Sequence, residues 1–151
     1  MAEVKSTQTT AIAAGYKVLP SADGGRRRMF FAEYLNGAST LAIADTIYLG
    51  DLPKGARICK DWVVSFSTGT ASCTIDVGFR SKATGTVIDV DGIAALVAVT
   101  TAGQSGLNNG SSLTAGLSYV TTEVVEVYAT VRAAVLAANQ KLIIEGSYVQ
   151  D

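Results

Sequence analysis

The sequence contains no histidine, and cysteine, proline and tryptophan are scarce. Histidine is the commonest general base, the usual partner of a catalytic serine or cysteine, and the commonest zinc ligand. Without it, Cys59 and Cys73 cannot complete a four-ligand zinc site from soft ligands. We therefore expect a protein that is not an enzyme and that binds no metal and no other cofactor.

Charged residues are also few, and neither sign dominates. Lysine and arginine number 12 and aspartate and glutamate 13, which gives a net charge of -1. Proteins that bind nucleic acid normally carry a basic excess, so we expect no DNA or RNA ligand. The longest apolar run, 93–99, is far shorter than the roughly 20 residues that cross a bilayer. The first twenty residues lack the apolar core of a secretory signal. We expect a soluble protein, made in the cytosol, that does not associate with a membrane.

One stretch resembles the start of a calcium-binding loop. Asp89 and Asp91 have the spacing of the first two ligands, but the twelfth residue of the loop is Thr100 and not the glutamate that the pattern requires. The alanine-rich residues 91–98 favour a helix, for which Asp91 would be the N-cap. The sequence therefore predicts a turn and a short helix here rather than a cation site.

Short strands account for most of the rest of the chain, because β-branched and aromatic residues cluster between glycine, asparagine, aspartate and proline. Residues 73–80 alternate apolar and polar side chains, as a strand with one buried face does. Residues 58–66 show the same pattern, and the small residues 67–72 between the two predict a hairpin. Cys59 lies on the polar parity and Cys73 on the apolar one, so we expect both thiols to be reduced.

The remaining patterns complete an all-β prediction. Further strands are predicted over 41–49, 119–134 and 141–149, with turns at 53–55 and 137–140 and a long exposed loop over 101–116. A chain of 151 residues suits one core. We predict a single domain over 26–151, a jelly-roll-like or Greek-key β-sandwich with one short helix, preceded by an extended N-terminal arm over 1–25.

Arg26, Arg27 and Arg28 form a compact cationic cluster at the start of the first predicted strand. Arginine is enriched at protein interfaces because its guanidinium pairs with carboxylates in bidentate fashion. A solvated cluster that keeps a strand edge soluble is the alternative. The arm before it also has two interpretations, a segment that orders on a partner or a tail without a role.

Two segments carry a resemblance to a known family. Residues 51–58 read Asp-Leu-Pro-Lys-Gly-Ala-Arg-Ile and lead into a strand, and residues 73–78 read Cys-Thr-Ile-Asp-Val-Gly after the small-residue turn. This order, over residues 46–78, resembles the small capsid decoration, or cement, proteins of tailed bacteriophages. The C-terminal residues 127–151, predicted as a hairpin, add to the resemblance.

The resemblance implies a jelly-roll-like virion protein that binds and reinforces the assembled capsid. Its partner would be the major capsid protein, its location the capsid surface, and its own state a homo-oligomer, either dimer or trimer. The arm and Arg26, Arg27 and Arg28 are then the candidate capsid contacts, by their charge and position. The dense arginine triplet departs from what the family leads us to expect.

Two other classes of function remain open on the sequence. One is a different virion component, such as a tail, head-completion or host-attachment protein, because the same sandwich folds recur across these roles. The other is a carbohydrate-binding sandwich in which Tyr34, Trp62, Tyr119 and Tyr128 would supply stacking platforms. The shared parity of Trp62 with Val64 predicts a buried indole, which argues against the second.

Overall fold

The computed structural model describes residues 14–15, 26–114 and 119–150. The predicted arm over 1–25 therefore lies almost wholly outside the described residues. The described residues form nine strands and one short helix: β1 (Arg26–Leu35), β2 (Thr46–Leu52), β3 (Arg57–Ile58), β4 (Val63–Phe66), β5 (Thr74–Ser81), β6 (Val87–Ala98), β7 (Gly103–Gly106), α1 (Ser111–Thr114), β8 (Val125–Arg132) and β9 (Lys141–Gln150).

The strands pair as a long hairpin that has been rolled up. β1 pairs with β9, β2 with β8, β4 with β7 and β5 with β6, all antiparallel. The roll places β4 beside β9 and β5 beside β8. It creates a first sheet of order β1-β9-β4-β7, with β3 also paired to β9, and a second sheet of order β2-β8-β5-β6. This nested order is that of a jelly roll, which confirms the predicted β-sandwich.

The core lies between the two sheets and follows the predicted alternation. In β5, Ile75, Val77 and Phe79 are fully buried, and Val127 and Val131 face them from the neighbouring β8. The predicted burial of Cys73 is confirmed, whereas Cys59 is half-buried, and the two cysteines are not joined to each other.

The two hairpins predicted at 67–72 and 137–140 are wrong in their pairing. β4 and β5 belong to different sheets, and so do β8 and β9. Both segments therefore carry the chain across the sandwich from one sheet to the other. A run of turn-forming residues marks where the chain reverses, but packing decides in which sheet the next strand pairs.

The helix predicted over 91–98 is also wrong, because these residues belong to β6. The β5–β6 register shifts three times, so the strand has no regular two-residue period. Leu96 occupies a left-handed conformation at one of these irregular positions, with φ of 50°. The alanine content of the segment suggested a helix because the bulges hid the strand pattern.

Asp91 consequently caps no helix. It lies in β6, and the Ser111 hydroxyl, with its single proton, lies within hydrogen-bonding distance of both the Asp91 carboxylate, at 2.9 Å, and the Asp89 carboxylate, at 2.8 Å. Asp89 also accepts a hydrogen bond from the Ser112 hydroxyl. These bonds attach α1 to β6. The predicted loop over 101–116 thus contains both α1 and a strand, β7.

The strand predicted over 41–49 starts later than expected. β2 begins at Thr46, and Leu41 forms an isolated bridge with Leu136. The residues between them turn, with Ala44 at φ of 75° and its N–H bonded to the Val131 carbonyl. The turn predicted at 53–55 is present, and Gly55 adopts φ of 83° there.

Trp62 organises the middle of the first sheet. Its indole is fully buried, stacks on the Phe30 ring with centroids 4.8 Å apart, and donates an N–H bond of 2.9 Å to the Ser147 carbonyl of β9. The ring lies directly against Gly146, where an added Cβ would overlap it. Gly146 must therefore remain bare for β1, β9 and the β3–β4 segment to close around the indole.

We expect Gly146→Ala to destabilise the protein by about 1–3 kcal/mol, because the methyl group overpacks the core against a rigid aromatic ring. Urea unfolding followed by tryptophan fluorescence measures the change. Gly37→Ala is the matched control, since a Cβ at Gly37 meets nothing within 4 Å. Equal stability of the two variants would contradict the packing described here.

Candidate functional site

β1 presents apolar side chains on both of its faces. Phe30 and Ala32 point into the core and are buried, whereas Met29, Phe31 and Leu35 point outward and are 71%, 59% and 63% exposed. A strand with one buried face needs apolar residues at only one parity. The second apolar row therefore serves no purpose in the core of this chain.

The outward row continues onto β9. Glu33 pairs in register with Ile143, so Ile143 lies diagonally beside Phe31 and Leu35. Met29, Phe31, Leu35 and Ile143 together are called the β1 face below. A shallow depression adjoins it and is lined by Ser65, Phe66, Ser67, Gly103, Lys141 and Ile143.

The second sheet also exposes apolar side chains, but they are divided between its two edge strands, with Tyr48 on β2 and Val87, Ile88 and Leu96 on β6. Ion pairs lie on its inner strands. Arg80 binds Glu126 and Arg132 binds Asp76, each at 2.7 Å, and Lys82 binds Asp51. The Arg80 guanidinium also lies over the Tyr128 ring, 5.2 Å from its centroid. Exposed apolar patches on soluble proteins mark interaction sites. The ion pairs of β5 and β8 separate the apolar groups of the second sheet, whereas the apolar row of β1 continues onto Ile143 of β9. The β1 face is therefore the candidate contact surface.

The three arginines predicted as contacts do not act together, because strand geometry separates them. Arg27 shares the outward parity of Met29 and lies over β9. Its Nε donates 2.8 Å to the Ser147 hydroxyl, and its guanidinium pairs with Asp61. Asp61 in turn accepts bonds from the Ser147 N–H and hydroxyl. Arg27 thus belongs to an intramolecular hydrogen-bonded cluster.

Arg26 and Arg28 lie on the opposite parity, beyond the end of the core, and both are exposed. Neither forms an ion pair with any residue in the described ranges. Gln150, which pairs with Arg26, donates 3.1 Å to the Lys54 carbonyl, so a third cationic residue lies at the same end of the sandwich. Arg26, Arg28 and Lys54 are called the basic corner below.

The Asp61 carboxylate is held in its charged form. Burial acts to raise its pKa, but the hydrogen bonds from Ser147 and Arg27 and the charge of Arg27 outweigh burial, and the pKa lies below its usual value of 3.8. The cluster ties β1 and β9 to the segment between β3 and β4. It therefore stabilises the backbone of the strands that carry the β1 face.

The residues proposed as sugar-stacking platforms do not form one. Trp62 is fully buried and Tyr128 is 2% exposed. The Tyr119 ring stacks on Phe79, with centroids 4.6 Å apart, and so packs against the core. Tyr34 is only half-buried, and its hydroxyl donates to Asn36.

The described residues offer neither a metal-binding cluster nor a membrane-spanning helix. Within the described ranges, no three residues among histidine, cysteine, aspartate and glutamate are grouped so that they could hold a metal ion. The helices in this part of the chain include none with the length and apolar character needed to span a membrane.

The fold recurs in solved structures of phage capsids. A chain of the capsid of Ralstonia phage GP4 matches with a TM-score of 0.65 at 20% identity, over 84% of this chain and 86% of that chain. A chain of the cyanophage Pam1 capsid asymmetric unit matches with a TM-score of 0.53 at 15% identity, again over 84% and 86%. The nearly equal coverage means that each chain is close to this one in length.

No protein-family model matches the chain, and a search of curated proteins gives no match either. At identities of 20% and below, the structural likeness establishes a shared fold.

We expect Asp61→Ala to lower the free energy of unfolding at pH 7 by about 1 kcal/mol, a modest loss because the carboxylate is partly exposed. The pKa of Asp61 is lowered in the folded state, so its contribution is complete above the usual 3.8 and disappears as the pH falls through the folded-state value. Urea unfolding at a series of pH values should show the difference from wild type shrinking below pH 3.8.

Lys60→Ala is the control for this measurement, because Lys60 is the exposed neighbour of Asp61 in the sequence. It should leave stability nearly unchanged throughout. A deficit in Asp61→Ala that stays constant into acid would contradict the role given to the carboxylate.

Proposed function

We propose that this protein is a structural component of a phage virion, and specifically a decoration or cement protein that binds the assembled major capsid protein. One observation carries the proposal. Its jelly roll matches, along most of both chains, chains of nearly the same size in two phage capsids. Phage capsids therefore contain small chains with this fold.

The exposed apolar row of β1 supports a binding role. The β1 face offers Met29, Phe31 and Leu35 on a paired strand, so little backbone order has to be gained on binding. The basic corner adds two arginines without intramolecular ion pairs in the described ranges, which suits carboxylates on a partner. Apolar contacts with a charged rim are typical of protein interfaces.

Binding through such a surface becomes stronger when the partner is present in many copies. A capsid presents many identical sites, so contacts of modest affinity act together when copies of the chain are joined. The role needs adhesion and a stable scaffold, and it requires neither a catalytic group nor a cofactor. We accordingly propose that the protein is not an enzyme and that it acts on the outer surface of the capsid.

A different place in the virion is the second candidate. Tail, head-completion and attachment proteins also use β-sandwiches, and a fold does not determine the role. The coverage of chains from two capsids favours the head. Carbohydrate binding has no comparable support, because the proposed aromatic platforms are buried or packed against the core.

The direct test uses heads of the phage that encodes this chain, assembled from a genome in which its gene is deleted. Purified wild-type protein should co-sediment with these heads at a fixed, saturable stoichiometry. Leu35→Asp and the double variant Arg26→Ala/Arg28→Ala should each weaken binding roughly tenfold. This is the loss expected when an interface residue that contributes clearly to the binding free energy is changed.

The matched control is Val87→Asp. Val87 is 55% exposed, much like Leu35, but it lies on β6 of the second sheet. This variant should bind heads as wild type does. Failure of the folded wild-type protein to bind would reject the decoration role. Equal losses in Leu35→Asp and Val87→Asp would reject the β1 face as the contact.

A further inference from the structure

The outer edge of β1 is an open edge of the first sheet. Among the described strands, β9 alone pairs with β1 in this sheet. The Asn36 N–H donates to the Gln140 carbonyl in the same register, which makes the even-numbered residues of β1 the hydrogen-bonded partners of β9. In an antiparallel pair these positions alternate, so the backbone groups of the odd-numbered residues point away from β9.

The other side of β9 agrees with this assignment. The Ser67 N–H donates to the Lys141 carbonyl and the Cys59 N–H donates to the Ser147 carbonyl, so odd-numbered residues of β9 bond toward β4 and β3. Its even-numbered residues therefore bond toward β1. Arg27, Met29, Phe31 and Glu33 thus each direct an N–H and a carbonyl toward the open edge.

These four residues form a pattern that is complementary to itself. Along the outward face of β1 the order is Arg27, Met29, Phe31, Glu33, with a cation at one end, an anion at the other and apolar residues between them. If a second β1 lies antiparallel with Phe30 opposite Phe30, Met29 faces Phe31 and Arg27 faces Glu33, on both sides of the axis. Shifting the register by two residues places charge against an apolar side chain instead.

We propose that two copies of the chain join through β1, antiparallel across a two-fold axis beside Phe30, and so form one continuous sheet. Pairing by strand addition satisfies the open backbone groups, and cross-strand apolar and opposite-charge pairs favour the stated register. The contact is isologous, with the same strand serving on both subunits, as closed two-fold dimers require. The predicted homo-oligomer is then a dimer and not a trimer.

The charged residues already have intramolecular partners. Arg27 binds Asp61, and Glu33 binds Lys141 at 2.9 Å. Both pairs are exposed, and exposed ion pairs contribute little to stability. Arg27 and Glu33 can therefore each form an ion pair with the residue opposite them in the second chain. Weakening or losing the intramolecular ion pair costs little stability.

Dimerisation would double the β1 face. Strand addition uses the edge and leaves the outward side chains exposed, so the two copies of Leu35 and Ile143 would lie on one wide surface. The pairing is a property of the purified chain and does not depend on the capsid role. It can therefore fail while head binding succeeds, or succeed while head binding fails.

Sedimentation equilibrium of the full chain, with charge-reversed variants, tests the proposal. Wild type should show a monomer–dimer equilibrium between micromolar and millimolar concentrations. Arg27→Glu and Glu33→Arg should each raise the dissociation constant roughly tenfold, because each places like charges opposite one another twice. The double variant Arg27→Glu/Glu33→Arg should recover the wild-type value, and a mixture of the two single variants should form heterodimers.

The double variant separates pairing between chains from damage within one chain. Within a chain it places a glutamate beside Asp61 and an arginine beside Lys141, so intramolecular repulsion alone predicts that it is worse than either single variant. Recovery therefore supports the dimer. A double variant weaker than both singles, or a wild-type chain that stays monomeric, overturns the proposal and leaves the edge to residues 1–25 or to a strand of another protein.

The register has its own test in a background with Cys59→Ser. Met29→Cys and Phe31→Cys chains should form a disulfide when mixed, because the two positions face each other at a Cα separation of about 5.5 Å in this register. Each chain alone should cross-link poorly. Efficient cross-linking of Phe31→Cys alone would place the axis at Phe31 and overturn the stated register.

Discussion

The packing of one indole against one bare glycine holds the first sheet together. Trp62 fills the space that a side chain at Gly146 would need, stacks on Phe30 of β1 and bonds to the backbone of β9. The same contact fixes the distance between β9 and the β3–β4 segment. Because β1 pairs in this sheet with β9, the orientation of its outward face depends on this interaction as well.

A second constraint acts on the outer side of the same strands. Asp61, Arg27 and Ser147 connect β1, β9 and the segment before β4 through charge-assisted hydrogen bonds. Core packing therefore fixes the inner face of β1, and the polar cluster fixes its outer face. A strand fixed on both sides can present apolar residues to solvent without turning them inward, which is what a stable binding surface requires.

Periodicity predicted those parts of the fold in which local pattern and packing agree. The alternation in β5 identified its buried face, the parity of Trp62 placed it in the core, and turn residues located Gly55. Periodicity failed where contacts between residues far apart in the sequence determine the local structure. The bulges of β6 concealed a strand, and no local signal shows that 67–72 crosses between sheets. Which strands become neighbours depends on how the whole chain folds into the jelly roll, and short segments of sequence do not show this.

The candidate site was predictable only in part. The arginine triplet was found by its charge, but only the strand geometry shows that Arg27 pairs with Asp61, whereas Arg26 and Arg28 form no ion pair with the residues that the structure describes. The β1 face was missed, although a signal existed, since Met29 and Phe31 flank Phe30 and make both parities of β1 apolar. Sequence alone could not tell which of the two rows the core would take.

The proposed role requires that this jelly roll be part of the phage head. Electron cryo-microscopy of heads from the encoding phage, with and without the gene, tests this claim most directly. We predict density for the jelly roll at symmetry-related positions on the outer surface, with the β1 face toward the shell, and its loss when the gene is deleted. Identical head maps from both phages would contradict the account, and density found in the tail instead would transfer the protein to another part of the virion.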